Sequence, residues 1–91
     1  ALHIITGMVK DKDVEAVLTL LPREARYYFT QAQIPRALPA DELKQMAADH
    51  HLEGSAYADV NTALAAARSA AVPTDLILVC GSVFLVGEVN R

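Results

Sequence analysis

Gly81 and Ser82 interrupt an otherwise apolar run, LILVCGSVF, at positions 76–84. A flexible residue followed by a hydroxyl, at the end of a strand-like segment, suits two jobs. Glycine lets the backbone turn sharply and come close to a ligand. If the following VFLVGEV is helical, its free N–H groups and the Ser82 hydroxyl make a small anion site for a carboxylate or phosphate. The alternative is a plain turn in which Ser82 caps its own helix. The residues alone leave both readings open.

Other chemistry-bearing residues give less. TGMVKDKD carries one glycine, so it is neither a dinucleotide fingerprint nor a phosphate loop. Lys10 and Lys12 are long enough to reach a phosphate, or stand solvated beside a helix start. Arg36, between Pro35 and Pro39, is a rigidly presented cation for an anion or for a helix C-terminus. His50 and His51 are adjacent, and helical neighbours do not face one point, so no shared metal site is predicted. His3 lies in a strand with no evident partner. Cys80 reads as a buried strand thiol, since no basic residue stands near to activate it. Asp75 precedes its strand and Asp59 opens a helix, so neither is a strand-end phosphoacceptor. No Ser/His/Asp set or carboxylate pair assembles, and no catalytic residue is assigned.

These residues are positioned by alternating elements. LHIITGMV predicts a buried strand broken by Gly7. DKDVEAVLTLL follows, with Val14, Val17, Leu18 and Leu21 on one helical face and Asp11 and Asp13 at its start. Pro22 ends that helix. ARYYFTQ is a second strand. DELKQMAADHH is a second helix, with Leu43, Met46, Ala47 and His50 on one face and Gly54 as its stop. SAYAD is a short third strand. DVNTALAAARSAA is a third helix with Asp59 as N-cap. DLILVCGS is the strongest strand, and VFLVGEVNR is a last helix or edge strand. The order predicts an α/β, Rossmann-like fold: a mostly parallel sheet with helices on both faces. In such sheets ligands bind beyond the carboxyl ends of the strands. Thr6-Gly7-Met8, Thr30-Gln31 and Gly81-Ser82 fall there.

Composition bounds the function. The chain has 91 residues, 53% hydrophobic and 21% charged, with a net charge of −3. That is one domain with an aliphatic core. Without a Lys/Arg cluster a nucleic-acid partner is not expected. No apolar run is long enough for a membrane span, and ALHIITG lacks the basic start of a signal peptide. One cysteine excludes an internal disulfide framework. The chain opens without Met, directly in a strand, and so reads as a domain cut from something longer.

Taken together, GMVKDKDV, YYFTQAQIPRAL and DLILVCGS carry a resemblance over essentially the whole chain. It resembles the C-terminal domain of the folylpolyglutamate synthase/dihydrofolate synthase family, within the Mur ligase superfamily. The resemblance implies an ATP- and Mg²⁺-dependent ligase that phosphorylates a folate or dihydropteroate carboxylate. The amine of L-glutamate then attacks the acyl phosphate. Phosphorylation supplies the leaving group that a carboxylate lacks, and cationic groups stabilise the transferred phosphoryl. Ser82 matches the serine that helps hold the glutamate, with Gly81 permitting close approach. Asp11, Lys12 and Asp13 match the DKD turn, expected to shape the loop or lie near the nucleotide. Residues 1–91 would then be a single, incomplete C-terminal domain. The family's phosphate loop, metal ligands and AHN-type motif are absent from this sequence. The resemblance therefore implies no bound ATP or Mg²⁺ here, a partnership with the N-terminal ATPase domain of the same polypeptide, and no ligase activity alone. It also implies a cytoplasmic setting and a sheet edge open to self-association. The alternatives are a muramyl-peptide ligase domain and a non-enzymatic α/β module binding a small anion or a partner.

Overall fold

The architecture was taken from a computed structural model that describes residues 2–10 and 13–80. Four strands and three helices alternate along the chain: β1 (Leu2–Thr6), α1 (Val14–Leu20), β2 (Arg26–Phe29), α2 (Ala40–Ala48), β3 (Gly54–Ala56), α3 (Val60–Ala70) and β4 (Leu76–Cys80). The sheet order is β3-β2-β1-β4, and every pairing is parallel. The predicted α/β class holds.

Alternation along the strands divides the core between the two faces. Ile4, Tyr27 and Phe29 pack with Val14 and Leu18 of α1 and with Leu43 and Ala47 of α2. Ile5 and Tyr28 pack on the other face, with Val60, Ala63, Leu64 and Ala67 of α3. The small side chains of α3 let it lie close to the sheet. The rings of Tyr27 and Phe29 stack nearly parallel, 5.6 Å between centroids. The central strands are thus buried on both faces, as parallel sheets require.

The caps follow the sequence. The Asp13 carboxylate accepts from the Ala16 N–H at 3.2 Å, and that of Asp59 accepts from the Thr62 N–H at 2.7 Å. These bonds satisfy amides that a helix start leaves unpaired. The same contacts, the Thr62 N–H first, hold the Asp59 carboxyl below its usual range. Leu21 turns extended at the end of α1, as a residue before proline should.

Several boundaries differ from expectation. β1 stops at Thr6, and Val9 forms an antiparallel bridge with Ala37 instead. The second helix was expected to run through His51, but α2 ends at Ala48. The amides of His50, His51 and Leu52 bond back to Ala47, Ala48 and Ala47, and His51 takes a left-handed φ of 63°. That is a helix stop of the kind glycine usually supplies, made here by histidine. His50 therefore leaves the helical face assigned to it and pairs with Glu15 of α1. Gly54, expected as the stop, is the first residue of β3. The predicted last element, VFLVGEVNR, lies outside the described residues.

No described helix is long and apolar enough to cross a membrane. On β4, Leu76 and Leu78 are 63% and 46% exposed.

Candidate functional site at the carboxyl edge of the sheet

Strand order places the site. From β1 the chain steps one way to β2 and β3, then returns to lay β4 on the other side of β1. The reversal between β1 and β4 is the topological switch point, where open α/β sheets bind ligands beyond their strand ends. Thr6 and Cys80 are register partners there. The chain continues from Cys80 into Gly81-Ser82. Those two residues, like Asp11 and Lys12, lie outside the described residues.

The loops after β1 and β2 are fastened together at this edge. The Leu38 N–H donates to the Met8 carbonyl and the Lys10 N–H to the Arg36 carbonyl, each at 2.8 Å. The Thr30 N–H donates to the Thr6 carbonyl at 2.9 Å. Two segments that the sequence offered separately, the lysine-bearing loop after β1 and the Pro-Arg-Ala-Leu loop after β2, therefore meet. The Arg36 backbone serves this junction, and its side chain is exposed. Asp13 is engaged as the cap of α1.

Two glutamines hold the same loops: Gln31, which the sequence placed at a strand end without a capping role, and Gln33, which it did not single out. Pro39 stands at the N-cap of α2 and has no side chain able to cap it. Gln31 does that work from outside the helix: its Oε1 accepts from the Ala40 N–H at 2.9 Å. The Gln33 amide donates to the carbonyls of Gln31 at 3.2 Å and Ala58 at 2.9 Å, tying the loop after β2 to the turn before α3. A proline at a helix start is the one signal that points to an outside cap.

The Cys80 thiol is half-buried and, as expected, not primed. Burial pushes it up, against a smaller opposing pull from the Thr6 hydroxyl beside it. A raised thiol is a poor nucleophile at neutral pH. Among the described residues no group of His, Cys, Asp or Glu is arranged to hold a metal ion. Two open clefts, of about 320 and 560 Å³, lie along β3 and the end of α2 and between β2, β3 and α3. Neither opens on the switch point.

His3 overturns its expected isolation. It is buried, with Nε2 2.8 Å from a carboxylate oxygen of Asp75 and Nδ1 2.9 Å from the Tyr28 hydroxyl. A carboxylate only accepts, so Nε2 carries the proton toward Asp75, while Nδ1 and the Tyr28 hydroxyl share a hydrogen bond on the other side of the ring.

The sequence profile described as "Mur ligase, glutamate ligase domain" matches residues 1–83. The chain belongs to the Mur ligase family. Among solved structures, this Mur ligase domain is similar to the bifunctional folylpolyglutamate synthase/dihydrofolate synthase of Yersinia pestis complexed with AMPPNP and a Mn ion. Identity is 28% and the TM-score 0.80, over 96% of this chain and 20% of that one. A bifunctional synthase of the same description, with Mn, AMPPNP and L-glutamate bound, gives 28% identity and a TM-score of 0.79, over 96% and 21%. E. coli FolC in complex with DHPP and ADP gives 25% and 0.75, over 94% and 20%. The Mur ligase domain described here thus spans about a fifth of the length of these proteins. No curated protein matches it in sequence.

Proposed function

We propose that this domain is the glutamate-presenting C-terminal part of an ATP-dependent ligase that joins glutamate to a folate or dihydropteroate carboxylate. The observation that carries the reading is the likeness, over 96% of this chain, to synthases solved with nucleotide, one of them also with L-glutamate. The topology agrees, since its switch point ends at the strand that leads into Gly81-Ser82.

In this reading the amide forms when the glutamate amine attacks a carboxylate activated by phosphorylation. This chain's part is orientation. Ser82 offers a hydroxyl to a glutamate carboxylate, and Gly81 leaves room for it to approach. ATP is a consumed substrate. The described residues do not form a site for Mg²⁺. The nucleotide and metal are therefore assigned to an N-terminal ATPase domain of the same polypeptide. The setting that suits such substrates is the cytoplasm.

The test is Ser82→Ala in the ligase that includes this domain. A rise in the KM for glutamate, with the KM values for ATP and folate unchanged, is the expected result. Unchanged glutamate kinetics would sink the assignment. The 91-residue chain alone is expected to show no ATP-dependent glutamate addition, and measurable addition would overturn the division of labour.

A further inference from the structure

β4 has a register problem that its own residues do not solve. Its sequence is Leu76-Ile77-Leu78-Val79-Cys80. Leu76, Leu78 and Cys80 share one face, and Ile77 and Val79 the other. A slip of one residue would exchange the faces, and the apolar pattern resists that. A slip of two residues keeps every residue on its own face. Leucine would replace leucine opposite β1, and the parallel backbone ladder would re-form. The hydrophobic pattern is nearly blind to that error. Yet it would carry whatever follows Cys80 by about 7 Å, two strand residues, along the sheet.

One polar group does distinguish the registers. In the observed pairing Leu2 lies opposite Leu76, His3 opposite Ile77 and Thr6 opposite Cys80. In that pairing Asp75, the residue before β4, reaches His3 at 2.8 Å. The far side of the ring is fixed as well, since Tyr28 of β2 holds Nδ1 at 2.9 Å. Asp75 is anchored in turn. Its carboxylate accepts from the Val72 N–H at 3.2 Å, and its own N–H donates to the Val72 carbonyl at 2.8 Å. The histidine and the Asp75 side chain are 1% and 8% exposed. A two-residue slip that carries Asp75 away from His3 would leave the buried His3 Nε2 without its acceptor, which is costly. Apolar side chains would fill this space without that risk. A buried polar pair is best explained where it selects one register among several.

We propose that His3 and Asp75 are positioning residues that pin the register of β4 and so set where the chain leaves the sheet after Cys80. The functional use of that exit point rests on the ligase reading given above; the pinning of register does not.

The experiment has two arms. In the 91-residue chain, cross-strand NOEs between β1 and β4 and amide exchange over Leu76–Cys80 report register directly. His3→Leu removes both bonds from within the core. Asp75→Ala removes the pin from outside it and keeps the test open if the first variant fails to fold. Each is expected to show a second set of β4 resonances and about tenfold faster β4 exchange. His3→Gln, which can donate to Asp75 and accept from Tyr28, is expected to restore a single set. One native register with unchanged exchange in Asp75→Ala overturns the proposal and leaves the ligase reading intact. In the ligase that includes this domain, the same variants are expected to raise the KM for glutamate about tenfold, with kcat less affected and Gln rescuing. Slipped register with unchanged glutamate KM overturns the positioning role if Ser82→Ala still raises that KM. If Ser82→Ala is silent too, the ligase reading is what fails.

Discussion

Oε1 of Gln31 accepts a hydrogen bond from the backbone N–H of Ala40 at 2.9 Å, so a residue just past β2 caps the helix that begins nine residues later. A cap supplied from a distance ties the geometry of a loop to the start of a helix. Gln31→Ala is expected to cost about 1 kcal/mol, the usual worth of a lost N-cap. Gln31→Glu keeps an acceptor and adds a charge favoured at a helix N-terminus, so it should hold near-parental stability. Urea unfolding midpoints of the two variants distinguish a cap from mere loop packing, which both would disturb.

Gly54 stands opposite Tyr27 where β2 meets β3. A Cβ there would come within 2.1 Å of the Tyr27 carbonyl oxygen and 2.8 Å of its Cβ. Backbone cannot move aside as a flexible side chain would. Gly54→Ala should force β3 off β2 and cost about 2 kcal/mol or more. A neighbouring change at exposed Ser55, Ser55→Ala, should cost far less. A thermal melt that ranks them the other way would show the clash to be relieved.

His51 holds a left-handed backbone at the end of α2 without a glycine's freedom. His51→Gly should stabilise the chain by about 0.5–1 kcal/mol, because the strain removed exceeds the entropy glycine adds to the unfolded state. His51→Val should destabilise it. Equal unfolding midpoints for Gly and Val would remove the strain argument.

Tyr27 sets an alkaline limit. Its ring is buried and its hydroxyl donates to the Pro22 carbonyl. Burial above all, with the Cys80 thiol adding to it, pushes the phenol from 10.0 up to about 12. Between those values the unfolded chain has released a proton that the folded chain still holds. Stability should therefore fall as pH rises from about 10 toward 12. Tyr27→Phe should flatten part of that fall, while lowering neutral-pH stability by about 1 kcal/mol through the lost hydrogen bond. Unfolding curves at pH 8, 10 and 11 test both signs.

Much of the frame was readable before any coordinates. The heptad-like spacing of Val14, Leu18 and Leu21 marked α1, and Asp59 marked the start of α3, because both signals are local. The end of α2 was not readable, since the left-handed stop is taken by His51 and sequence rules look for glycine or asparagine there. Gly54 misled for the same reason: it spares a clash between strands, a fact set by Tyr27. The bond between His3 and Asp75 joins residues 72 apart, and no window of sequence contains both. At the site, sequence placed the strand ends but not the fastening of the Met8–Lys10 loop to Arg36–Leu38. That junction exists only once β1 and β2 lie side by side.

The pairing of β1 with β4 also orders events in time. β1 through β3 are laid down by successive short crossovers, each closing a modest loop. β4 reaches its place only by closing a loop that spans almost the whole described chain, from Leu2 to Leu76. Contacts of such separation are slow to form. Until that loop closes, β1 is uncovered on that side. That open strand is apolar, as is the β4 segment waiting to join it, so the hazard of misassembly is concentrated in that interval. The strand that closes this loop is the one that leads to Gly81-Ser82, so the switch point exists only once the chain's longest-range pairing has formed.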